Sequence, residues 1–229
     1  MIEFRNVTKI YDGDAAPALE GLDLTIEKGE FVFIMGDSGA GKTTLTKLLL
    51  REEKPTSGKV LVDGAEISKY RGKNLIQYRR EDIGFVFQFY NLMPNLTALE
   101  NVEIAVEICD NHLDPKTILD EVGLADRLNN FPAELSGGEQ QRVSIARAIA
   151  KNPKLILCDE PTGALDYVTG KKILQLLQDL SKKEKKLIIV VTHNAALKAM
   201  ADKVIKIKSG NVESIEINEN PVSVEVIEW

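Results

Sequence analysis

Cysteine is scarce in this sequence of 229 residues, and long apolar runs are absent. Its two cysteines, Cys109 and Cys158, lie far apart, with no C-x-x-C pattern and no neighbouring histidine. We therefore expect two small buried apolar side chains rather than zinc ligands or a disulfide. The longest aliphatic run, residues 187–191, is far too short to cross a bilayer.

Positive charge is not in excess, because 35 acidic residues outnumber 29 lysines and arginines. Proteins that bind nucleic acid or anionic lipid by broad electrostatic attraction usually carry a basic excess. The sequence therefore predicts no nucleic-acid partner. Residues 1–6 lack the basic and apolar regions of a secretory signal, so we expect a soluble, cytoplasmic chain. A hydrophobic content of 44% can fill the core of one large domain or two small ones.

The strongest chemical signal is a glycine-rich stretch that fits the phosphate-binding pattern G-x-x-x-x-G-K-[ST]. The apolar run at residues 31–35 predicts a buried strand before it, and leucines at helical spacing follow it. Glycines let successive backbone N–H groups and the helix N-terminus converge on phosphate oxygens. We expect a nucleoside triphosphate to bind Gly36, Asp37, Ser38, Gly39, Ala40, Gly41, Lys42, Thr43 and Thr44.

Two side chains at the end of this stretch have separate expected roles. Lys42 supplies a mobile positive charge for the β- and γ-phosphates. Thr43 offers its hydroxyl to Mg²⁺, which prefers hard oxygen ligands and keeps several waters.

Turn residues divide the rest of the chain into strands and helices. Residues 2–10 and 19–26 read as strands, separated by Asp12-Gly13-Asp14 and Pro17. Tyr11, at the end of the first strand, either stacks on a purine ring or packs against the protein. Asp63-Gly64 predicts a hairpin. The final residues, 218–229, carry no functional signal.

A polar side chain ends the next predicted strand, residues 83–87. The amide of Gln88 either ligates Mg²⁺ and positions water or is ordinary polar surface. Residues 89–134 then contain helical pieces, the first with Thr97 as its N-cap. They predict a small helical insert within an α/β domain.

A second anion site is predicted where another helix begins. Ser136 is a candidate N-cap, and Gly137 and Gly138 expose backbone N–H groups. The N-terminus of a helix attracts anions because its first N–H groups have no partner within the helix.

An apolar strand at residues 154–158 ends in two acids, Asp159 and Glu160. In P-loop enzymes one such acid holds Mg²⁺, and its neighbour can orient or deprotonate the attacking water. The alternative is a solvated acidic turn. His193 follows the predicted strand at residues 187–191 and either reaches a γ-phosphate or is structural.

Taken in order, these motifs resemble the complete set of an ATP-binding cassette (ABC) ATPase. The resemblance implies an α/β fold: a P-loop NTPase (RecA-like) core with a mainly parallel sheet, an N-terminal antiparallel β subdomain and a small helical subdomain. It implies a single ABC ATPase domain, 1–229, with a catalytic core at about 1–88 and 153–229 and the helical subdomain at about 89–152. The motifs occupy residues 36–43, Gln88, residues 135–140, 157–160 and 164–166, and His193.

The same resemblance implies ATP and Mg²⁺ as ligands and gives each motif a role. Tyr11 becomes the aromatic that stacks on adenine, and Asp166 becomes the D-loop contact. The signature Ser136, Gly137, Gly138 and Glu139 caps the ATP of a partner chain, which implies a head-to-tail homodimer. The implied catalytic residues are Lys42, Gln88, Glu160 and His193, and the implied metal ligands are Thr43, Gln88 and Asp159.

Finer features at residues 83–94, 96–102 and 161–166 are similar to the MacB/LolD/FtsE group. That group partners permeases with few transmembrane helices and large extracytoplasmic domains. This implies an ATPase peripheral on the inner face of the cell membrane, for export, lipoprotein or peptide extraction, or transmembrane signalling. The alternative is a soluble ABC ATPase without a permease. Apolar side chains after Gln88 either line a cleft for a permease helix or pack the helical insert: Phe89, Tyr90, Leu92, Met93 and Leu96.

Overall fold

A computed structural model gives the structure of residues 1–13 and 16–228. Asp14, part of the predicted break after the first strand, and Trp229 lie outside the described residues. The strands are β1 Ile2–Lys9, β2 Leu19–Ile26, β3 Phe31–Met35, β4 Ser57–Val62, β5 Ala65–Glu66, β6 Ile83–Val86, β7 Leu155–Asp159, β8 Leu187–Val191, β9 Lys203–Lys208 and β10 Asn211–Ile217. The α-helices are α1 Lys42–Leu49, α2 Gly72–Gln77, α3 Ala98–Val106, α4 Pro115–Glu121, α5 Gly137–Ala150 and α6 Tyr167–Glu184.

The N-terminal strands form an antiparallel sheet in the order β2-β1-β4-β5. Its last two strands are joined by Asp63 and Gly64, as the sequence predicts. Both residues have positive φ, 51° and 78°, which is the backbone geometry of a two-residue hairpin turn.

The second sheet has the order β10-β9-β3-β8-β7-β6, and only its β9–β10 pair is antiparallel. The carboxyl ends of its parallel strands therefore meet at one edge, where ligands bind in open α/β sheets. The chain leaves β3 at Gly36, β6 at Phe87, β7 at Glu160 and β8 at Thr192. This edge therefore gathers the motifs that the sequence separates.

Strand β3 shows how the core is divided, because all five of its residues are buried. Phe31, Phe33 and Met35 face one cluster of apolar side chains, which includes residues of α3 to α6. Val32 and Ile34 face another, which includes residues of α1 and of the antiparallel sheet. Successive residues of a strand point to opposite faces, so the parallel sheet lies between two apolar layers.

Helices α3 and α4 pack against α5 and form the helical region after β6. Thr97 starts α3 as predicted: its side chain accepts a hydrogen bond from the Glu100 backbone N–H, and the Glu100 carboxylate accepts one from the Thr97 N–H. The two sheets and this helical region give the fold class that the resemblance implies.

Helix α2 and the π-helical turn after it, Tyr78–Asp82, are not predicted by the sequence. No residue of α2 is buried, and no side chain caps it at Arg71. The segment therefore has neither the apolar period nor the cap that identifies a helix. The 3₁₀ turns Ala195–Met200 and Val224–Val226 are not predicted either. Among the strands that are predicted, the differences are at boundaries; β1, for example, ends at Lys9 and not at residue 10.

Both cysteines are free and buried, as expected for small apolar side chains. No helix among the described residues is both long and apolar enough to cross a membrane.

Candidate active site

The glycine-rich loop between β3 and α1 is held tightly at its start and is open at its tip. A Cβ on Gly36 would lie 2.1 Å from the carbonyl oxygen of Ile207, so only glycine fits where the loop crosses β9. Gly39, at the tip, has φ 77° and no atom within 4 Å of a Cβ built on it. The loop is therefore fixed to the sheet yet leaves space on its outer side.

Backbone N–H groups of this loop are available to an anion. Among the described residues, those of Ser38, Gly39 and Gly41 donate to no acceptor, whereas that of Ala40 donates to the Asp37 carbonyl at 3.2 Å. The first N–H groups of α1 have no partner within the helix. Free donors around a concave loop fit phosphate oxygens.

Lys42 stands inside the loop that precedes it. Its Nζ donates to the carbonyl oxygens of Gly36 at 2.7 Å and Asp37 at 2.8 Å. These bonds hold the ammonium group on the concave side of the loop, with one of its three donors left for a further oxygen.

Tyr11 lies beside the loop, where the first strand leads toward β2. Its hydroxyl is 3.4 Å from Oγ1 of Thr44, the third residue of α1. The Nζ of Lys9 lies 4.7 Å from the centroid of its ring. Tyr11 is therefore in contact with the helix that follows the phosphate loop. The sequence alone did not predict this contact.

Three candidate metal ligands line one cavity of about 200 Å³: Thr43, Gln88 and Asp159. Burial raises the pKa of Asp159, and the nearby Glu160 raises it further, whereas Lys42 lowers it. The described residues contain no cluster of three or more His, Cys, Asp or Glu side chains that could hold a metal. A hydroxyl, an amide and one carboxylate are oxygen donors that suit Mg²⁺, which fills its remaining positions with water and phosphate.

Glu160 lies in different surroundings from Asp159, as expected for consecutive residues at a strand end. It lines a cavity of about 570 Å³ together with Gln88, Gln140 and Gly163. Its φ of 48° is in the left-handed region, which is uncommon for a residue with a side chain. Such a conformation persists only where its surroundings fix it.

Three donors on the segment after β8 fix the Glu160 carboxylate. Oε2 accepts a hydrogen bond from the Thr192 hydroxyl at 3.2 Å. Oε1 accepts bonds from the His193 backbone N–H at 3.0 Å and from its Nδ1 at 2.7 Å. Because an ionised carboxylate only accepts, this contact places a proton on Nδ1 of the imidazole ring. The His193 side chain is 83% exposed, so its Nε2 is free to meet a ligand.

The signature residues begin α5 with the predicted cap. The Ser136 side chain accepts a bond from the Glu139 N–H at 3.3 Å, and the Glu139 carboxylate accepts one from the Ser136 N–H at 2.8 Å. The Ser136 donors, followed by Arg127, lower the pKa of Glu139 to about 2. Ser136 and Gly137 are exposed, so this helix N-terminus faces solvent.

Each signature glycine is also a contact point for another motif. A Cβ on Gly137 would lie 3.0 Å from the Tyr90 hydroxyl, and one on Gly138 would lie 3.2 Å from the Ala164 carbonyl oxygen. The loops after β6 and β7 thus both pack on the first turn of α5. Asp166, at the end of the second loop, is the N-cap of α6 and accepts a bond from the Thr169 N–H at 3.0 Å.

A protein-family model described as "ABC transporter" matches residues 19–163, which include the loop, Gln88, the signature and both strand-end acids. The chain belongs to the ABC transporter family. It is an ATP-binding domain of this family, whose members hydrolyse ATP.

Relatives of this ABC domain match it over nearly its full length. It is 46% identical to an "Uncharacterized ABC transporter ATP-binding protein" of Thermotoga maritima, over 94% of this chain and 95% of the relative. It is 44% identical to "Lipoprotein-releasing system ATP-binding protein LolD" of Syntrophus aciditrophicus, over 93% of this chain and 98% of the relative. Two longer relatives, from Dictyostelium discoideum and Mycoplasma pneumoniae, are spanned over only 44% and 50% of their length.

Solved ABC cassettes have the same fold. The cassette MJ0796 of Methanocaldococcus jannaschii matches with a TM-score of 0.89 and 42% identity, over 95% of this chain and 98% of that one. A second structure of MJ0796, described as dimeric, post-hydrolysis and bound to ADP and Pi, matches with a TM-score of 0.88.

Two residues that the sequence analysis did not identify take part in the ABC site. Thr192 donates to Glu160, and Lys9 lies over the ring of Tyr11. Thr192 lies directly before His193 at the end of β8. This position at a strand end is the sequence feature that could have marked Thr192 as a site residue. The ion pair that holds Lys9, with Glu53, joins segments 44 residues apart, so no local pattern reveals it.

Proposed function

We propose that this chain hydrolyses MgATP at two sites shared by a head-to-tail homodimer and uses the cycle to move a separate membrane permease. The observation that carries the proposal is the set of hydrogen bonds that fixes Glu160 beside His193, at the sheet edge that bears the phosphate loop. MJ0796, described as a dimeric cassette with ADP and Pi, supports the dimer and the reaction.

The residues have distinct tasks in the reaction. The loop N–H groups and Lys42 hold the phosphates, and Thr43, Gln88 and Asp159 would hold Mg²⁺. When bound, Mg²⁺ neutralises charge on the phosphate oxygens. Glu160 accepts a proton from the attacking water.

In the imidazolium form, which carries a proton on each ring nitrogen, His193 then donates from Nε2 to the transferring phosphoryl group. Its Nδ1 stays bonded to Glu160, so the two side chains keep their relative orientation. The negative charge that develops on the phosphoryl group in the transition state is thus stabilised by hydrogen-bond donors that are already in position.

The position of the signature supports the proposed head-to-tail dimer. Ser136 and Gly137 offer a helix N-terminus to solvent, and such a terminus contributes to anion binding only at short range. A partner's nucleotide therefore has to be brought against it. We propose that Ser136, Gly137, Gly138 and Glu139 complete the site of the other chain, with Asp166 at the contact between chains.

The apolar residues after Gln88 fall into two groups, those that pack against the protein and those that are available to a permease. Leu92 packs against the larger core cluster, and Tyr90 is half-buried near Gly137. Phe89 and Met93 are 78% and 46% exposed, which is high for large apolar side chains. We propose that these two lie against the permease.

A groove of about 460 Å³ lies next to the segment that carries Phe89 and Met93. Its lining residues indicate the chemistry of the permease segment that would bind there. Ile83, Phe85 and Phe87 contribute apolar surface to it, and Arg79, Arg147 and Lys151 contribute three cations. Among the described residues that line the groove, Glu52 is the one acid.

The three cations of this groove are bonded to carbonyl groups instead of acids. Arg147 donates to Tyr90 and Asn91, Arg79 to Leu50 and Arg51, and Lys151 to Arg79 and Ile83. Within residues 1–13 and 16–228, none of them forms an ion pair. Burial lowers the pKa of Arg147 and of Lys151, which reflects the unfavourable desolvation of both charges. We propose that a short amphipathic cytoplasmic helix of the permease places an acidic side chain here.

Neutralising this groove tests the proposal. The variant Arg79→Gln/Lys151→Gln should recover several-fold less permease than the wild type when the tagged chain is purified from its own detergent-solubilised membranes. ATP binding by the isolated chain should be unchanged, because neither residue touches the ATP site. Recovery by the wild type should fall as salt is raised, since part of the attraction is electrostatic. Phe89→Asp/Met93→Asp should reduce recovery in the same assay.

The control is Lys154→Gln, which also removes one positive charge. Lys154 is exposed and pairs with Asp82 outside the groove, so recovery should stay at the wild-type level. Undiminished recovery with the groove variant would reject the acidic contact. If no membrane protein co-purifies in stoichiometric amount with the wild type, the chain is instead a soluble ABC ATPase. The site chemistry would stand in either case.

A further inference from the structure

A lysine lies against Tyr11, the aromatic residue that the family resemblance implies stacks on the adenine base. Nζ of Lys9 is 4.7 Å from the Tyr11 ring centroid and 2.8 Å from Oε2 of Glu53. The Lys9 side chain is only 12% exposed, so its charge interacts with the ring and with Glu53 more than with water. A cation over an aromatic face is attracted by the ring's negative face, and more strongly when water is excluded.

Two contacts therefore fix the Tyr11 ring. Lys9 covers one face, and the hydroxyl reaches Thr44 on α1 at 3.4 Å. Thr44 is buried and follows Thr43, so the ring is held at a set position relative to the phosphate loop. A base can stack only on the face turned away from Lys9.

We propose that Lys9 is a positioning residue for the purine base of the nucleotide. This inference rests on the proposed function and on the role that the family resemblance implies for Tyr11, which is to stack on adenine. Two π-faces repel when both are electron-rich. The ammonium group draws ring electrons toward the inner face, which makes the outer face of Tyr11 a better partner for the purine. Glu53 keeps the ammonium group in place over the ring.

The effect of Lys9 should be confined to the base. Its ammonium group pairs with Glu53 and lies over Tyr11, and among the described residues it donates no hydrogen bond to the phosphate loop or to the Glu160 carboxylate. A ligand that carries the phosphates without the base therefore separates this role from general support of the fold. Inorganic tripolyphosphate with Mg²⁺ is such a ligand.

The test measures dissociation constants for MgATP and for magnesium tripolyphosphate by calorimetry, and kcat and KM for ATP. Lys9→Met keeps an unbranched apolar chain against the ring but removes the charge. It should weaken ATP binding and raise KM about two- to fivefold, the size of a partly buried cation–π contact. Tripolyphosphate binding and kcat at saturation should stay at wild-type values. Lys9→Arg restores a cation and should restore ATP affinity.

The variant Tyr11→Leu distinguishes failure of the proposed role of Lys9 from failure of the base site itself. If Tyr11→Leu loses ATP affinity and Lys9→Met does not, Lys9 has no such role although the base site stands. If Tyr11→Leu binds ATP as the wild type does, the base is held elsewhere and both assignments are wrong. If Lys9→Met weakens ATP and tripolyphosphate equally, Lys9 supports the fold and the inference is overturned.

Discussion

Glu160→Gln is expected to bind ATP normally and to hydrolyse it at least about a hundredfold more slowly, the lower range of general base catalysis. The amide has the size of the carboxylate but cannot accept the proton of the attacking water. Its oxygen can still accept the two bonds from His193, and its nitrogen can donate to the Thr192 hydroxyl. The segment after β8 should therefore keep its conformation, and the loss should be chemical.

A closed dimer should accumulate, because the step that opens it is blocked. Size-exclusion chromatography with light scattering in MgATP should show Glu160→Gln as a dimer, and phosphate release should show the loss of turnover. Glu216→Gln provides the control, since Glu216 is an exposed partner of Lys198 on the edge strand β10. A monomeric variant with normal turnover would assign the proton transfer to another residue.

The fold was predictable where apolar period and turn chemistry agree. Strand β8 was predicted with its observed bounds, and the helices α3 and α5 begin at the predicted caps Thr97 and Ser136. Helix α2 was not predictable, because none of its residues is buried and packing leaves no trace in its sequence. The packing of the C-terminal segment was not predicted for another reason. Val224 and Ile227 belong to the larger core cluster, but two apolar residues are too few to show the periodicity of a helix or strand.

The site was predictable as a set of motifs and not as a set of contacts. Gly36, Lys42, Asp159 and Glu160 follow from local patterns at strand ends. The contact of Tyr90 with Gly137 joins segments 47 residues apart, so only the folded chain reveals it. The positive φ of Glu160 is a further feature without a local signal, because glutamate is ordinarily found at negative φ.

The second prediction concerns which chain supplies each half of a site. Lys42→Ala removes the ammonium group of the phosphate loop, and Ser136→Arg places a long side chain at the N-terminus of α5. Each homodimer should be inactive. A mixture of the two chains should regain activity, because one site of each mixed dimer combines an intact loop with an intact signature.

On random pairing of the chains, about half of the dimers are mixed and each has one intact site of two, so recovery should approach about a quarter of wild-type activity. Phosphate release is measured for each chain alone and for the mixture. Ser136→Thr retains the N-cap oxygen and should stay active alone, which separates blockage of the anion site from loss of the cap.

Mixing Lys42→Ala with Glu160→Gln is the sharper control. In the proposed site Lys42 and Glu160 act on the same nucleotide within one chain, because both follow strands at the carboxyl edge of one sheet. Every mixed dimer of these two variants should therefore carry two defective sites, and no activity should return. If this pair recovers turnover as well, the catalytic glutamate serves the nucleotide of its partner. If neither pair recovers although mixed dimers form, Ser136 does not complete a site across the interface.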